Sequence, residues 1–421
     1  MPSALSQLRQ GHWPTLLAAF VFFDCGSALW VLNGALMPVI ADRYALGPAD
    51  TGLLISLPLL SGALLSLPLG LLAQRIGRRR VALASTALLI LALLWAWAWA
   101  DSPARLLALG PLLGLGGAGF GVALSLGAGS YPPRAQGLAT GIVGSGCLGA
   151  VLVVLLAPPL AERAGWQAVY GVAALLLLLP LGLLALAARE SRSGRSPHTA
   201  AHLHCLLERD AWALSLIHVV TFGGFVGLSV LLPSYYHQQF GLPPVQAGQL
   251  TLLATLLGVA LRAVGGALAD RIGGVRLLTG VLSVVAATLV GCGMAEHALV
   301  PSTLLMLLCF AALGLGHGAL FQLVPLRWPQ STAIAASLIA AVGALGGGLL
   351  PNVMALSLQR TGSHLGGFLA FAALSILTLG VLRIAQMRWT RTWAERGGRA
   401  RAPAWQMPSD EDDPVSVVSL R

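Results

Sequence analysis

The chain has 421 residues, of which 57% are hydrophobic and 10% charged, against about 25% charged residues in a soluble globular domain. That balance excludes an ordinary soluble domain. The formal charge of +10 does not imply a nucleic-acid partner, because the basic residues are sorted along the chain by topology and not gathered into one basic face.

A bilayer core is crossed by about 20 residues of helix. Lipid offers no partner to backbone polar groups, so apolar runs of that length must be helical. Twelve such runs follow one another, at roughly 13–36, 51–73, 81–100, 105–130, 137–158, 167–188, 212–236, 246–269, 277–296, 302–326, 332–356 and 365–387. The first is too long, and too poorly matched to a small-residue cleavage site, for a removed signal peptide, and is expected to stay as helix one. Residues 189–210, RESRSGRSPHTAAHLHCLLERD, break the apolar pattern with Ser, Gly, Pro and charge and read as a cytoplasmic linker. Its His198, His202 and His204 have only Cys205 as a further ligand at metal spacing and read as solvated, so no metal or other cofactor is expected.

The expected organisation is therefore an all-α integral membrane protein. It has a six-helix bundle over 1–188, the linker over 189–210, a second six-helix bundle over 211–388 and a cytoplasmic tail over 389–421. In the tail, Arg388, Arg391, Arg396, Arg399 and Arg401 alternate with Trp389 and Trp393, a pattern suited to anionic headgroups at about 1 kcal/mol per arginine. The DEDD run at 410–413 reads as disordered.

All 25 basic residues are arginine. Arg75, Arg78, Arg79, Arg80, Arg134, Arg189, Arg192, Arg195, Arg209, Arg271, Arg276 and Arg327 fall in alternate connections together with the tail, whereas the opposite connections hold Arg43, Arg105, Arg163 and Arg360. This positive-inside bias puts both termini in the cytoplasm of a plasma-membrane protein. The five cysteines, Cys25, Cys147, Cys205, Cys292 and Cys309, have no paired spacing and read as packing residues.

Two stretches 196 positions apart nearly coincide: G70-LLAQRIGRR-R80 and G266-ALADRIGGV-R276. A repeat at half the chain length marks two homologous bundles, the build of a duplicated transporter that works by rocking one half against the other. Gly70, Arg75 and Gly77 in the first loop and Gly266, Asp270, Arg271 and Gly273 in the second are the candidate gating residues. The same offset sets Ser66 opposite Arg262. Glycines cluster in helices four, five and eleven, where they let helix backbones approach closely; Gly146 and Gly149 correspond to Gly343 and Gly346.

Only Asp24 and Arg262 place a charge well inside the hydrocarbon, where each costs a few kcal/mol unless it faces a cavity or a partner. Function is the default reading for both. A static Asp24 to Arg262 ion pair is the structural alternative. His218 and His317 also lie within spans. For His317 the expected role is a neutral buried imidazole making one hydrogen bond.

The repeated G-x-L-A-[D/Q]-R-x-G-x-x-R loops resemble the cytoplasmic loop motif of the major facilitator superfamily, with Gln74 where the motif has an acidic residue. More narrowly, the chain resembles the nitrate/nitrite porter family in TGLLISLPLLSGALLSLPLG (51–70), GLGGAGFGVALSLGAGSYPPRAQGLATG (114–141), TFGGFVGLS (221–229), GVALRAVGGALADRIGG (258–274), GHGALFQLVPLRWP (316–329) and AAVGALGGGLLP (340–351). That family binds a planar monoanion between one arginine from helix two and one from helix eight, with rings and polar groups closing the slot. The resemblance implies that Arg262 is the helix-eight arginine, Phe120 and Phe222 the rings of helices four and seven, and Gln322 the polar contact of helix ten. Four positions depart: Ser66 replaces the helix-two arginine, His218 the tyrosine before the TFG motif, Cys147 the helix-five asparagine, and Gly316-His317-Gly318 the G-N-G of helix ten.

The expected function is secondary transport of a small anion such as nitrate or nitrite across the bilayer, with Arg262, Phe120, Phe222, His218, Gln322 and Ser66 at the substrate and Asp24 coupling to protons. The alternative is a proton-coupled transporter or exporter of a small organic substrate such as a carboxylate, which could use the space that Ser66 leaves. No phosphate-binding loop and no nucleophile with a matched base occurs, so neither ATP drive nor an enzyme is expected.

Overall fold

A computed structural model of the chain describes residues 11–131, 139, 142–144, 146, 148–190, 208–328, 332–392, 399–400 and 418–419. Cys147, Cys205, the three linker histidines and the 410–413 acidic run lie outside the described residues, as do the side chains of Asp270 and Gln322.

Among the described residues twelve helices are long and apolar enough to cross a membrane: α1 Trp13–Tyr44, α2 Pro48–Ile76, α3 Arg78–Trp99, α4 Pro103–Ala128, α5 Ile142–Ala164, α6 Trp166–Leu186, α7 Arg209–Phe240, α8 Pro244–Ala269, α9 Gly274–Met294, α10 Leu299–Phe321, α11 Leu338–Thr361 and α12 Leu365–Trp389. The number and order of spans agree with the apolar runs. Their ends differ. Helix α1 continues past residue 36 through Pro38, Asp42 and Arg43, and stops where Ala45 takes a left-handed conformation (φ 48°) and returns its N–H to Ala41 O. Charge marks where the hydrocarbon ends, whereas helical hydrogen bonding stops only at a cap. Beyond the spans, two-residue strands pair antiparallel, Arg399 opposite Ser419 and Ala400 opposite Val418.

Packing divides the chain into two compact units. One comprises Met1–Pro197, Val226–Thr255 and Gly347–Gly362; the other comprises His198–Phe225, Leu256–Gly346 and Ser363–Arg421. Helices α7, α8 and α11 thus contribute to both. Within the first unit, α2 meets α4 so closely that a Cβ on Gly62 would lie 2.9 Å from Gly114 O. Within the second, α8 meets α10 with a Cβ on Gly314 only 2.1 Å from Gly258 O. Gly62 and Gly258 are 196 positions apart, so the duplication read from the loops is also a duplication of helix contacts. Contact between such backbones replaces the hydrophobic drive that lipid cannot supply between helices. Leu64, Leu67, Leu186, Leu304 and Ile384 are exposed.

The two motif loops share one local geometry. Gly77 and Gly273 end α2 and the α8 helix, whose last turn runs on to Ile272, with φ of 107° and 92°, a region where a side chain would be strained. After Gly77 the N–H groups of Arg78 and Arg79 donate to the two carboxylate oxygens of Glu190 at 2.8 and 2.9 Å, so a carboxylate sits on the positive end of α3. Arg79 also donates to Leu184 O and Ala185 O. Arg75 and Arg271 are exposed.

Candidate substrate site

The second unit brings together the helix-seven, helix-eight and helix-ten residues singled out in the sequence. Within α7 the regular helix Arg209–His218 gives way to a π-helical turn, Val219–Gly223, before the α-helix resumes at Gly224. Such turns recur at functional sites because the extra residue widens the helix and redirects side chains. His218, just before this turn, and Phe222, within it, stack face to face, with ring centroids 4.9 Å apart and planes 3° apart. His218 is buried, at 1% exposure.

From α10, His317 places its ring 5.2 Å from that of His218 and 5.5 Å from that of Phe222. Phe321, one turn on, meets His218 edge-on at 5.3 Å and His317 at 5.0 Å. The glycines beside His317 permit this approach. A Cβ on Gly318 would lie 2.0 Å from Arg262 O, and one on Gly316 would lie 2.7 Å from Thr221 Cγ2. Substitution at Gly343 of α11 would likewise drive a Cβ to 2.3 Å from His218 Cδ2.

Arg262 of α8 completes the cluster. Its guanidinium carbon lies 4.5 Å from the centroid of Phe225 and 5.9 Å from that of Phe222. Cation–π contact of this kind contributes about 0.5 kcal/mol when exposed and about 2 kcal/mol or more when desolvated. The Nδ1 atoms of His218 and His317 are both buried without a hydrogen-bond partner among the described residues, so His317 lacks at that atom the bond expected of a structural histidine. Two oriented imidazoles and one guanidinium on a wall of phenyl rings can accept a small flat anion by stacking and charge-assisted hydrogen bonds.

Phe120, Ser66 and Asp24 belong to the first unit. Phe120 on α4 meets Phe23 of α1 at 4.8 Å. Ser66 donates to Gly62 O at 2.7 Å, one turn back in its own helix. Asp24 on α1 accepts from Gly149 N at 2.9 Å and also from Leu148 N, where the second part of α5 begins after an interruption at Gly146. The carboxylate therefore faces the positive end of a helix. Phe225 and Phe321 escaped the sequence reading, although each lies one helical turn from a named residue, Phe222 and His317 respectively.

A second charged cluster in this unit joins α7, α10 and α12. The α10 helix runs on past Phe321 to Arg327, which donates to Glu208 at 2.5 Å and Asp210 at 2.8 Å, and Arg388 also pairs with Asp210. Asp210, the last residue of the expected linker, thus lies in the first turn of α7 and is buried.

The Major Facilitator Superfamily matches the chain over residues 16–351. This protein belongs to the Major Facilitator Superfamily. Similar proteins include the nitrite extrusion protein of Bacillus subtilis (strain 168), 29% identical over 385 residues, which cover 89% of this chain and 95% of that protein. The probable nitrate/nitrite antiporter NarK1 of Thermus thermophilus is 29% identical over 425 residues, covering 91% of this chain and 95% of its own. Among solved structures, a D-xylose-proton symporter aligns with a TM-score of 0.70 at 15% identity, covering 90% of this chain and 97% of that one. This last likeness concerns the fold. As a superfamily member with nitrate and nitrite transporters among its relatives, the chain is an integral membrane transporter and not an enzyme.

Proposed function

We propose that this transporter moves nitrate or nitrite by alternating access, in the plasma membrane with both termini cytoplasmic. The observation that carries the proposal is the Arg262 guanidinium, held over Phe225 and Phe222 beside two imidazoles with unbonded Nδ1 atoms. A planar monoanion suits such a site. It can take two parallel N–H bonds from the guanidinium fork while its faces lie against phenyl rings. The relatives named for nitrate and nitrite favour this anion class, and the arginine distribution favours the topology.

The organic-carboxylate reading rests on the departures from the resembled family, Ser66 in place of the helix-two arginine together with His218 and Cys147, and on Asp24. Uptake into proteoliposomes containing the purified chain separates the two. Nitrate and nitrite flux that formate and acetate do not inhibit is the expected result. Carboxylate flux without nitrate or nitrite flux would overturn the proposal.

A further inference from the structure

The two histidines depart from the resembled family pattern independently, on different helices, yet they meet. His218 and His317 lie 5.2 Å apart, and Phe222 and Phe321 each touch both rings. Both Nδ1 atoms are buried without a hydrogen-bond partner among the described residues. A buried polar atom without a partner is costly, and two of them on neighbouring rings mark a place where something else supplies the partner.

We propose that His218 and His317 form a proton-binding half of the anion site, so that the anion and one proton bind together. The inference rests on the anion reading above and adds to it the transported species. The groups facing the pair come from α7 (Phe222), α8 (Arg262), α10 (Phe321) and α11 (Gly343). Among these, Arg262 is the charged one, and its guanidinium shares the Phe222 ring with both imidazoles.

With the site empty, a proton on the pair would set a second positive charge near Arg262 in a poorly screened region, which Coulomb repulsion opposes. A monoanion against Arg262 cancels that repulsion and offers acceptor oxygens to an imidazolium N–H. Anion binding therefore raises the proton affinity of the pair, and by linkage a bound proton raises anion affinity by the same factor. The proton comes from bulk water and belongs to the pair as a unit. Its charge offsets that of the anion, so a pH gradient drives accumulation.

Calorimetric titration of the purified full chain with nitrate, which does not itself titrate near neutrality, tests the inference in buffers of different ionisation enthalpy between pH 6 and 8.5. The expected result is uptake of about one proton per anion over part of this range, with Kd rising there by about ten-fold per pH unit. The His218→Gln/His317→Gln double variant keeps N–H donors but cannot titrate. It is expected to bind nitrate through Arg262 with no proton uptake and a Kd independent of pH.

Nitrate binding by the unaltered chain without proton uptake anywhere in the range overturns the inference, and this measurement does not depend on the variant folding. Undiminished uptake in the double variant also overturns it. Failure of the unaltered chain to bind nitrate or nitrite at any pH instead removes the anion reading on which it rests.

Discussion

The imidazole of His218 lies parallel to the phenyl ring of Phe222, with planes 3° apart and centroids 4.9 Å apart. The π-helical turn over Val219–Gly223 sets these two residues, four positions apart, nearly one above the other. Ring pairs at such distances contribute about 0.5–1.5 kcal/mol beyond their burial. The stack sets the His218 ring 5.2 Å from that of His317, tilted by 36°, and sets Phe222 5.9 Å from the Arg262 guanidinium carbon.

Arg262→Lys is expected to weaken nitrate binding nearly as much as Arg262→Ala. An ammonium group carries the charge but not the planar fork or its stacking on Phe225. Losing one or two charge-assisted bonds at about 1.5–3 kcal/mol each corresponds to a ten-fold or larger rise in Kd by calorimetry. Wild-type affinity in the lysine variant would show that Arg262 does not touch the anion.

Gly318→Ala tests the close approach of α8 and α10. Its Cβ would meet Arg262 O at 2.0 Å and Gly266 N at 2.6 Å, both backbone atoms that cannot step aside alone. Over-packing of this kind costs about 1–3 kcal/mol, so a lower melting temperature in detergent is expected together with weaker nitrate binding. Gly280→Ala is the control. That glycine has no atom within 4 Å of a built Cβ, and the variant should melt at or above the wild-type temperature.

Asp24 accepts from backbone N–H groups where α5 restarts, as a capping residue does. Asp24→Ala leaves those donors without the carboxylate and is expected to lower stability by about 0.5–2 kcal/mol, read from thermal melts. Asp24→Asn keeps an acceptor oxygen and should be milder. With the transported proton on the histidine pair, Asp24→Asn should still accumulate nitrate under a pH gradient. Loss of accumulation with exchange intact would place the proton on Asp24 instead.

Outside the spans, Glu296 accepts from Ser363 Oγ and from His364 N, and so holds the start of α12. His364 Nδ1 is 3.4 Å from the same carboxylate. Burial of the imidazole outweighs the nearby Glu296, so its pKa lies below the ordinary 6.5. For a histidine lowered on folding, the unfolded chain binds the proton more readily. The stability contributed is therefore fully present above about pH 6.5 and is lost as pH falls toward the depressed value. Melting temperature is expected to fall between pH 6.5 and 5, and His364→Gln should flatten that part of the curve. A melting temperature that rose on acidification through His364 would mean that the ion pair outweighs burial.

Much of this protein was legible in its linear sequence. The number and order of spans follow from apolar run length, because a bilayer has one thickness and satisfies no backbone polar group. The duplication follows from a fixed offset of 196 positions, and the structure repeats it in Gly77 and Gly273 and in the approaches at Gly62 and Gly258. Arg262 was conspicuous because a charge at membrane depth is costly wherever it points. The tertiary structure alone decided which helix faces meet. Membrane helices are apolar on their lipid-facing and inward-facing sides alike, so hydrophobic periodicity says little about rotation about the helix axis. For that reason His317 reads in sequence as an ordinary buried histidine although its ring lies 5.2 Å from that of His218, and Asp24 reads as a proton-coupling group or a partner of Arg262 with no sign of the α5 backbone N–H groups that meet it. Charge, length and repetition are properties of the chain; the pairing of two imidazoles is a property of how three helices cross.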